Sequence, residues 1–265
     1  MKYTKLKPEL TKWQMLFQRE KVKEYKRCST NPIYFIRRHC KIINSNKDPI
    51  KFELYPFQND ILDLFQNNQN AFIYTSRQMG NTSLLCGYIL WLMTFHYDRN
   101  IGYIVPKLKA GQHALDIIKC MWSYLPKEFQ RKSINNSKSY LAFENGSSVD
   151  IKSHRSFGKS TSYGHIIFDT ASYIHMDEIW IAHALDLEEP KQIIISTNAI
   201  SSNSTTNGYL REIWKNALLG LNNFETLRVP WDEHPDRNIG WRKIQDKVLG
   251  KESAAIEYDA IEPKI

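Results

Sequence analysis

A turn with a single glycine lies between a strand-like and a helix-like segment, and its residues suit phosphate chemistry. Residues 73–83 read IYTSRQMGNTS, with Gly80 followed by Asn81 and Thr82. In a phosphate-binding loop, backbone N–H groups and a helix N-terminus hold the phosphates. A lysine after the glycine then reaches the β- and γ-phosphates, and the next hydroxyl binds magnesium. Asn81 stands at the lysine position and Thr75 at the first glycine, so the pattern alone is a weak match.

The apolar pattern around this turn alternates between strand-like and helix-like periods. Five segments read as strands: NAFIYTS, NIGYIVP, GHIIFDT, KQIIIST and FETLRVPW. Four segments between them read as helices: TSLLCGYILWLMTFHY, AGQHALDIIKCMWSYLP, MDEIWIAHAL and GYLREIWKNAL. Strands that alternate with helices pair in parallel through crossover connections. The predicted fold is therefore α/β, with a mainly parallel sheet flanked by helices.

Three further segments predict elements at the margins of that sheet. SYLAFENGSSVDIKSH predicts a hairpin that turns at Asn145-Gly146. NPIYFIRRHCKII predicts a helix with Asn31 as its cap and Pro32 in its first turn. LYPFQNDILDLFQ places its apolar residues on one face of another helix.

Composition and charge limit the classes of partner. The 265 residues are 42% hydrophobic, and the net charge of +8 favours an acidic partner such as DNA, although the lysines equally fit a solvated surface. The four cysteines form no CxxC pair and the eight histidines share no metal-ligand spacing, so no zinc site is predicted. No apolar run approaches the ~18 residues of a membrane span, and no signal peptide is recognised. An intracellular, reduced protein is expected.

Several motifs occur in the same order as in a known family. SRQMGNTS resembles the deviant Walker A motif of T4-like tailed-phage terminase large subunits, the motors that package phage DNA. LYPFQNDIL resembles the adenine-contacting motif, IIFDT the Walker B strand, IIISTNA the coupling motif, and WDEHPDRNIGWRKIQ the tryptophan–His-Pro segment. NPIYFI, IGYIVPKLKAG and the hairpin region also match in order. The chain is therefore identified as similar to the family's N-terminal ATPase domain over residues 31–260.

The resemblance implies roles for individual residues. Gln58 matches the adenine contact, Arg77 matches an arginine finger acting in cis, and Asp169 matches the Walker B aspartate. Thr82 and Asp169 would bind Mg²⁺. ATP and Mg²⁺ are the implied cofactors, weakly held. The expected nucleotide-binding residues are Gln58, Ser76, Gln78, Gly80, Thr82, Ser83 and Thr197.

The chain departs from the family at the residues that carry charge. Asn81 replaces the Walker A lysine, and Thr170 replaces the glutamate that positions the attacking water. The coupling motif reads STNA, and Phe157 precedes Gly158 where the family has an Arg-Gly pair. Loss of one preorganised charge typically costs ~3–4 kcal/mol in the transition state. We therefore expect hydrolysis near background, although the two losses need not add.

A neighbouring lysine is the alternative to this loss. Lys107, Lys109 and Lys159 are the candidates. The sequence GKST, residues 158–161, superficially resembles a relocated phosphate loop, but it precedes a strand and has no glycine five residues earlier. It is interpreted as an ordinary loop.

Together these features predict a basic helical segment over residues 1–30 and a terminase ATPase-like domain over residues 31–265. The chain stops at IEYDAIEPKI without the clustered acidic residues of a two-metal nuclease, so no nuclease activity is expected. The expected partners are non-specific DNA and phage portal or terminase-related proteins, in the cytoplasm of an infected host cell or in the virion. We expect a degenerate ATPase homologue that binds nucleotide, DNA or a partner. Two alternatives are a working packaging ATPase with a compensating lysine and a separate nuclease chain, and a basic DNA-binding module without a nucleotide role.

Overall fold

The structure is a computed structural model that describes residues 12–157, 163–174, 192–198 and 208–260. Its helices are α1 (Lys12–Thr30), α2 (Pro32–His39), α3 (Pro56–Asn67), α4 (Asn81–Phe95), α5 (Leu108–Ser123), α6 (Gly208–Leu218), α7 (Ile239–Leu249) and α8 (Lys251–Tyr258). Its strands are β1 (Lys41–Ile43), β2 (Pro49–Lys51), β3 (Asn70–Thr75), β4 (Asn100–Val105), β5 (Ser133–Asn136), β6 (Tyr140–Phe143), β7 (Ser148–Ser153), β8 (His165–Asp169), β9 (Gln192–Thr197) and β10 (Phe224–Val229). The helix predicted for MDEIWIAHAL lies outside the described residues.

An eight-stranded sheet organises the fold in the order β10-β3-β9-β8-β4-β7-β6-β5. The strands from β10 to β7 pair in parallel. β5, β6 and β7 pair antiparallel at the other end. The prediction of a mainly parallel sheet flanked by helices is therefore confirmed.

The predicted hairpin joins β6 to β7 through the Asn-Gly turn. Gly146 adopts φ +81° there, and a Cβ at this position would collide with the carboxylate of Asp98. Asn145 donates from its side chain to the carbonyls of Met93 and His96, which ties the turn to the end of α4. Glycine at this position therefore lets the hairpin approach that helix closely.

The helix predicted from NPIYFIRRHCKII is shorter than expected. Asn31 caps it as predicted, accepting a hydrogen bond from the Tyr34 amide at 2.8 Å, and Pro32 opens its first turn. It ends at His39, because Cys40 adopts an extended conformation and leads into β1. The prediction was wrong for the last residues, which pair antiparallel with β2 in a small separate hairpin.

Helix α4 lies at the centre of the core. Every residue from Leu84 to Phe95 is buried, and the helix packs against α1, α2, α3 and α5. The opposite face of the sheet has its own apolar cluster, in which Trp214 of α6 contacts Phe72 and Tyr74 of β3. In the part of the chain that the structure describes, no helix combines the length and the apolar character needed to cross a bilayer.

Candidate functional site

A cavity of about 230 Å³ opens where three neighbouring parallel strands, β3, β9 and β8, end. The carboxyl ends of parallel strands are the usual place for ligands in such sheets. The described residues that line this cavity are Ser76, Gln78, Met79, Gly80, Asn81, Thr82, Ser83, Asp169, Thr170, Ser196, Thr197 and Asn198. The structure therefore brings together most of the residues predicted from the phosphate-loop, Walker B and coupling motifs.

The loop between β3 and α4 depends on a left-handed glycine. Gly80 precedes the first residue of α4 with φ +79°, and Gln78 also has a positive φ of +61°. A Cβ at Gly80 would lie 2.9 Å from Nε2 of Gln58. The first intrahelical bond runs from the Leu84 amide to the Gly80 carbonyl, so the preceding amides have no acceptor within the helix. Those amides are the donors with which a helix N-terminus binds an anion.

Asn81 uses its side chain within the protein. Its Nδ2 donates to Oγ1 of Thr75 at 2.6 Å and to Oγ of Ser196 at 3.5 Å. Its Oδ1 is buried and has no hydrogen-bond partner among the described residues. The position that would carry a lysine ammonium therefore holds a neutral amide with one unused acceptor.

Asp169 ends β8 as the acidic residue of the cavity. Its Oδ2 accepts hydrogen bonds from Thr82 at 2.8 Å and from the Tyr103 hydroxyl at 2.5 Å. Burial raises the pKa of this carboxyl, while the hydrogen bonds from Tyr103 and Thr82 oppose the rise. The two predicted magnesium ligands, Thr82 and Asp169, therefore contact each other. A hydroxyl beside a carboxylate is a donor set that suits Mg²⁺.

The residue after Asp169 supplies no second carboxylate. Thr170 has φ +59°, lines the cavity, and donates to Oδ1 of Asp169 at 3.4 Å. Among the described lining residues, Asp169 is the sole carboxylate, and none is a lysine or arginine. Lys107 and Lys109 are exposed and do not line the cavity. Lys159, the segment GKST and Ala199 lie outside the described residues.

Two predicted site residues do not line the cavity. Arg77 directs its guanidinium to Glu257 of α8, at 3.6 Å, and its backbone amide donates to the Glu257 carbonyl. Gln58 is buried; its Nε2 donates to the Met79 carbonyl at 3.1 Å, and its Oε1 accepts from the Tyr55 amide. Gln58 therefore supports the loop from behind, and the roles assigned to both residues stay predictions.

Arg237 contacts the loop although no catalytic motif included it. Its guanidinium donates to Oγ of Ser76 at 3.0 Å and to the carbonyls of Arg77 and Gln78 at 2.8 and 3.1 Å. The group also stacks on Trp241, 4.5 Å from the ring centroid. The only sequence signal was its place in the segment WDEHPDRNIGWRKIQ. By accepting these bonds, the loop carbonyls are held on the side of the loop occupied by Arg237.

Ser196 and Asn198 also line the cavity, although only Thr197 of the coupling motif was named as a binding residue. The hydroxyl of Thr197 accepts a hydrogen bond from the Ser172 amide at 3.2 Å, which joins β9 to the segment after β8. The alternation of side chains along a strand would place only every second residue on one face. Because the strand ends here, consecutive residues reach the same cavity.

Comparison with known proteins identifies the fold. No protein-family model matches the chain. The large terminase of bacteriophage HK97 superposes with a TM-score of 0.67 at 16% identity, covering 88% of this chain and 54% of that protein. The large terminase ATPase domain of Thermus phage P74-26 superposes with a TM-score of 0.60 at 14% identity, covering 80% of this chain and 95% of that domain. The large terminase of a thermophilic bacteriophage in complex with ADP gives a TM-score of 0.57 at 13% identity, covering 77% and 52%.

The chain spans about half the length of the full-length terminases that it matches. It spans nearly all of the isolated ATPase domain. Its structural neighbours are therefore phage large terminases, and the chain has the fold of their ATPase domain.

Proposed function

We propose that this chain is a degenerate terminase-type ATPase domain, related to phage DNA packaging, that binds a nucleotide weakly and does not turn it over. One observation carries the proposal. The cavity retains the phosphate-loop backbone and the Thr82–Asp169 pair, but its described lining contains no cationic side chain and no second carboxylate. Binding through the backbone survives such losses, whereas phosphoryl transfer depends on the missing charges.

The described residues fit a nucleotide phosphate and its Mg²⁺. The glycine at position 80 leaves the approach to the helix N-terminus open, and the buried Oδ1 of Asn81 offers an unused acceptor. Thr82 and Asp169 would hold Mg²⁺, which supplies positive charge to the phosphates when bound. The volume of about 230 Å³ is below the range of about 300–1,000 Å³ for pockets that enclose a small molecule. We therefore expect the cavity to hold the phosphates and to leave the base more exposed.

The relative solved with ADP supports nucleotide as the ligand class. The +8 charge and the basic segment before the domain support DNA as a second ligand. Phage portal or terminase-related proteins are the proposed protein partners. Their meeting place would be the cytoplasm of an infected host cell or the virion.

Calorimetric titration with ATP and Mg²⁺ tests the proposal. We expect weak binding of one nucleotide, lost when Thr82→Val removes the hydroxyl that contacts Asp169. Thr30→Val is the matched control, because its hydroxyl bonds only to carbonyls at the end of α1. No ATP binding to the unmodified chain would contradict nucleotide recognition and favour a module without a nucleotide role.

A phosphate-release assay with and without DNA tests the loss of turnover. We expect no release above background. DNA-stimulated turnover near ~1 s⁻¹, which is within the usual range for enzymes, would contradict the proposal. That result would favour the alternative in which a lysine outside the described lining, such as Lys159, replaces the missing charge.

A role in DNA binding is favoured by the exposed surface of α1. Lys23, Lys26 and Arg27 line one groove of this helix together with Glu20 and Glu24. Lys23 pairs with Glu20 at 2.7 Å, which reduces the net positive charge of the groove. No base-reading motif was found in the sequence. Binding to the phosphate backbone would therefore be weak and independent of sequence.

A further inference from the structure

Three side chains of metal-ligand type meet between α1 and α2, away from the cavity. A carboxylate oxygen of Glu24, Sγ of Cys28 and a ring nitrogen of His39 all lie within 4.8 Å of one another. Oε1 of Glu24 is 2.9 Å from Nε2 of His39 and 3.9 Å from Sγ of Cys28. Within the described ranges this is the one such group that joins three ligand side chains.

Helix geometry explains how this group forms. Glu24 and Cys28 are four residues apart on α1, so they lie on the same face one turn apart. His39 is the last residue of α2, which folds back against α1. The spacing of cysteines and histidines along the sequence predicted no zinc site, because the ligands come from two helices and one of them is a glutamate.

We propose that Glu24, Cys28 and His39 form a binding site for Zn²⁺. Zinc accepts thiolate, imidazole and carboxylate ligands at about 2.0–2.3 Å, which in a tetrahedron separates neighbouring ligand atoms by about 3.3–3.8 Å. The observed separations bracket that range, so the ligands need to move by less than about 1 Å. Three protein ligands leave the fourth position to water. The side chain of Glu24 is 29% exposed, which gives solvent access to that position.

The surroundings of Glu24 are compatible with this role. The Tyr34 hydroxyl donates to its other oxygen, Oε2, at 2.9 Å, which fixes the carboxylate and leaves Oε1 for the metal. Such outer-shell partners orient metal ligands. Nε of Arg38 lies 3.9 Å from Oε1, but that side chain is 66% exposed and can turn into solvent. The cation would replace Arg38 beside the carboxylate.

Metal binding would exchange protons and contacts in a balanced way. The Cys28 thiol releases its proton to solvent and forms the Zn–S bond, and neutral His39 donates its ring lone pair. Burial raises the pKa of that thiol to about 12, so zinc affinity falls as the solution becomes more acidic. The direct contact between Glu24 and His39 gives way to two bonds through the metal. The ion would then join α1 to α2 by coordination.

The competing explanation is a metal-free hydrogen-bond network of Glu24, His39 and Tyr34. The test uses the full chain, reduced and stripped with a chelator, titrated with Zn²⁺ in a calorimeter. We expect one ion per chain. Replacement by Co²⁺ should give a thiolate charge-transfer absorption that disappears in Cys28→Ser.

Single variants separate the two explanations. Glu24→Gln, Cys28→Ser and His39→Gln should each weaken Zn²⁺ binding by more than about 100-fold, beyond the loss of an outer-shell partner. The controls are Cys120→Ser, which changes a thiol outside the group, and Tyr34→Phe, which removes a hydrogen bond but no ligand. Circular dichroism of the metal-free variants shows whether each is folded, and Glu24→Gln changes a partly exposed side chain. Absence of one-to-one binding by the unmodified chain, or equal affinity in folded Glu24→Gln, overturns the proposal.

Discussion

Replacing Asn81 by lysine should strengthen nucleotide binding without starting turnover. The substitution puts an ammonium at the position that contacts phosphate in related loops. A charged hydrogen bond contributes about 1.5–3 kcal/mol, whereas the lost bond from Asn81 to Thr75 contributes about 1 kcal/mol. The net gain is about 0.5–2 kcal/mol, which corresponds to about a 2- to 30-fold lower Kd.

Calorimetry with ATP and Mg²⁺ measures this gain, and phosphate release measures turnover. The matched control is Asn136→Lys, which adds the same charge at an exposed position of β5, the outermost strand. A gain that also occurs in this control would reflect net charge and not a contact in the cavity.

The double variant Asn81→Lys with Thr170→Glu is the minimum change expected to restore hydrolysis. The single variant leaves Asp169 without a neighbouring carboxylate, so no described lining residue can position the attacking water. Full turnover by Asn81→Lys alone would refute the role assigned to Thr170. Unchanged affinity in that variant would refute the assignment of the loop as the phosphate site.

Three further predictions concern the loop, the pH dependence of stability and the DNA surface. Gly80→Ala should abolish ATP binding in calorimetry because of its positive φ and its contact with Gln58, whereas Gly208→Ala, with 3.9 Å of space, should not; equal binding by both would show that the loop geometry is not needed. Burial, with a smaller effect of the Arg99 charge, lowers the pKa of His96, so the free energy of unfolding should fall as the pH drops below the unfolded value of about 6.5. Urea unfolding of His96→Gln at pH ~7.5 and ~5.5 should show a smaller fall, and an equal fall would contradict the assignment. DNA binding followed by fluorescence anisotropy on two unrelated duplexes should be equal for both, with a slope of log K against log[salt] of about −4 to −5 if about four to six phosphates are neutralised. Alanine variants should flatten this slope if α1 is the contact, and an unchanged slope would exclude that helix; the residues to change are Lys21, Lys23, Lys26 and Arg27.

The central sheet and its helices could be predicted because their residues are buried in a regular pattern. All six residues of β3 and all six of β9 are buried, so these strands appear in the sequence as continuous apolar runs with polar ends. Helix α4 is apolar on every side for the same reason. The phosphate-loop turn was predictable from its glycine, which the left-handed backbone requires.

Elements that bury little could not be predicted in this way. The three residues of β2 are all exposed, and β5 is polar and largely exposed, so neither has a hydrophobic period. Helix α7 has no buried residue, and its apolar side chains at positions 239, 244 and 248 are exposed. Such short or exposed elements form through hydrogen bonds and neighbours that a local pattern does not encode.

Contacts between distant parts of the sequence account for what was missed at the site. Arg237 reaches the loop across about 160 residues, and Glu257 reaches Arg77 across a longer interval. The pairing of Asn81 with Thr75 depends on the turn geometry and not on residue type alone. A family motif names residues by analogy, whereas these partners depend on this chain's own tertiary contacts.

The attachments of the loop also determine when it can form during synthesis. Strand β3 pairs with β9 and β10, and the Ser76 amide donates to the Val229 carbonyl. The ribosome makes these partners more than a hundred residues after the loop itself. Contacts between such distant segments form late, because a long length of chain must first be closed. On the ribosome, helix α4 can therefore exist before the turn at its N-terminus has the geometry of a binding loop, and a nascent chain would acquire nucleotide affinity only in the last stage of its synthesis.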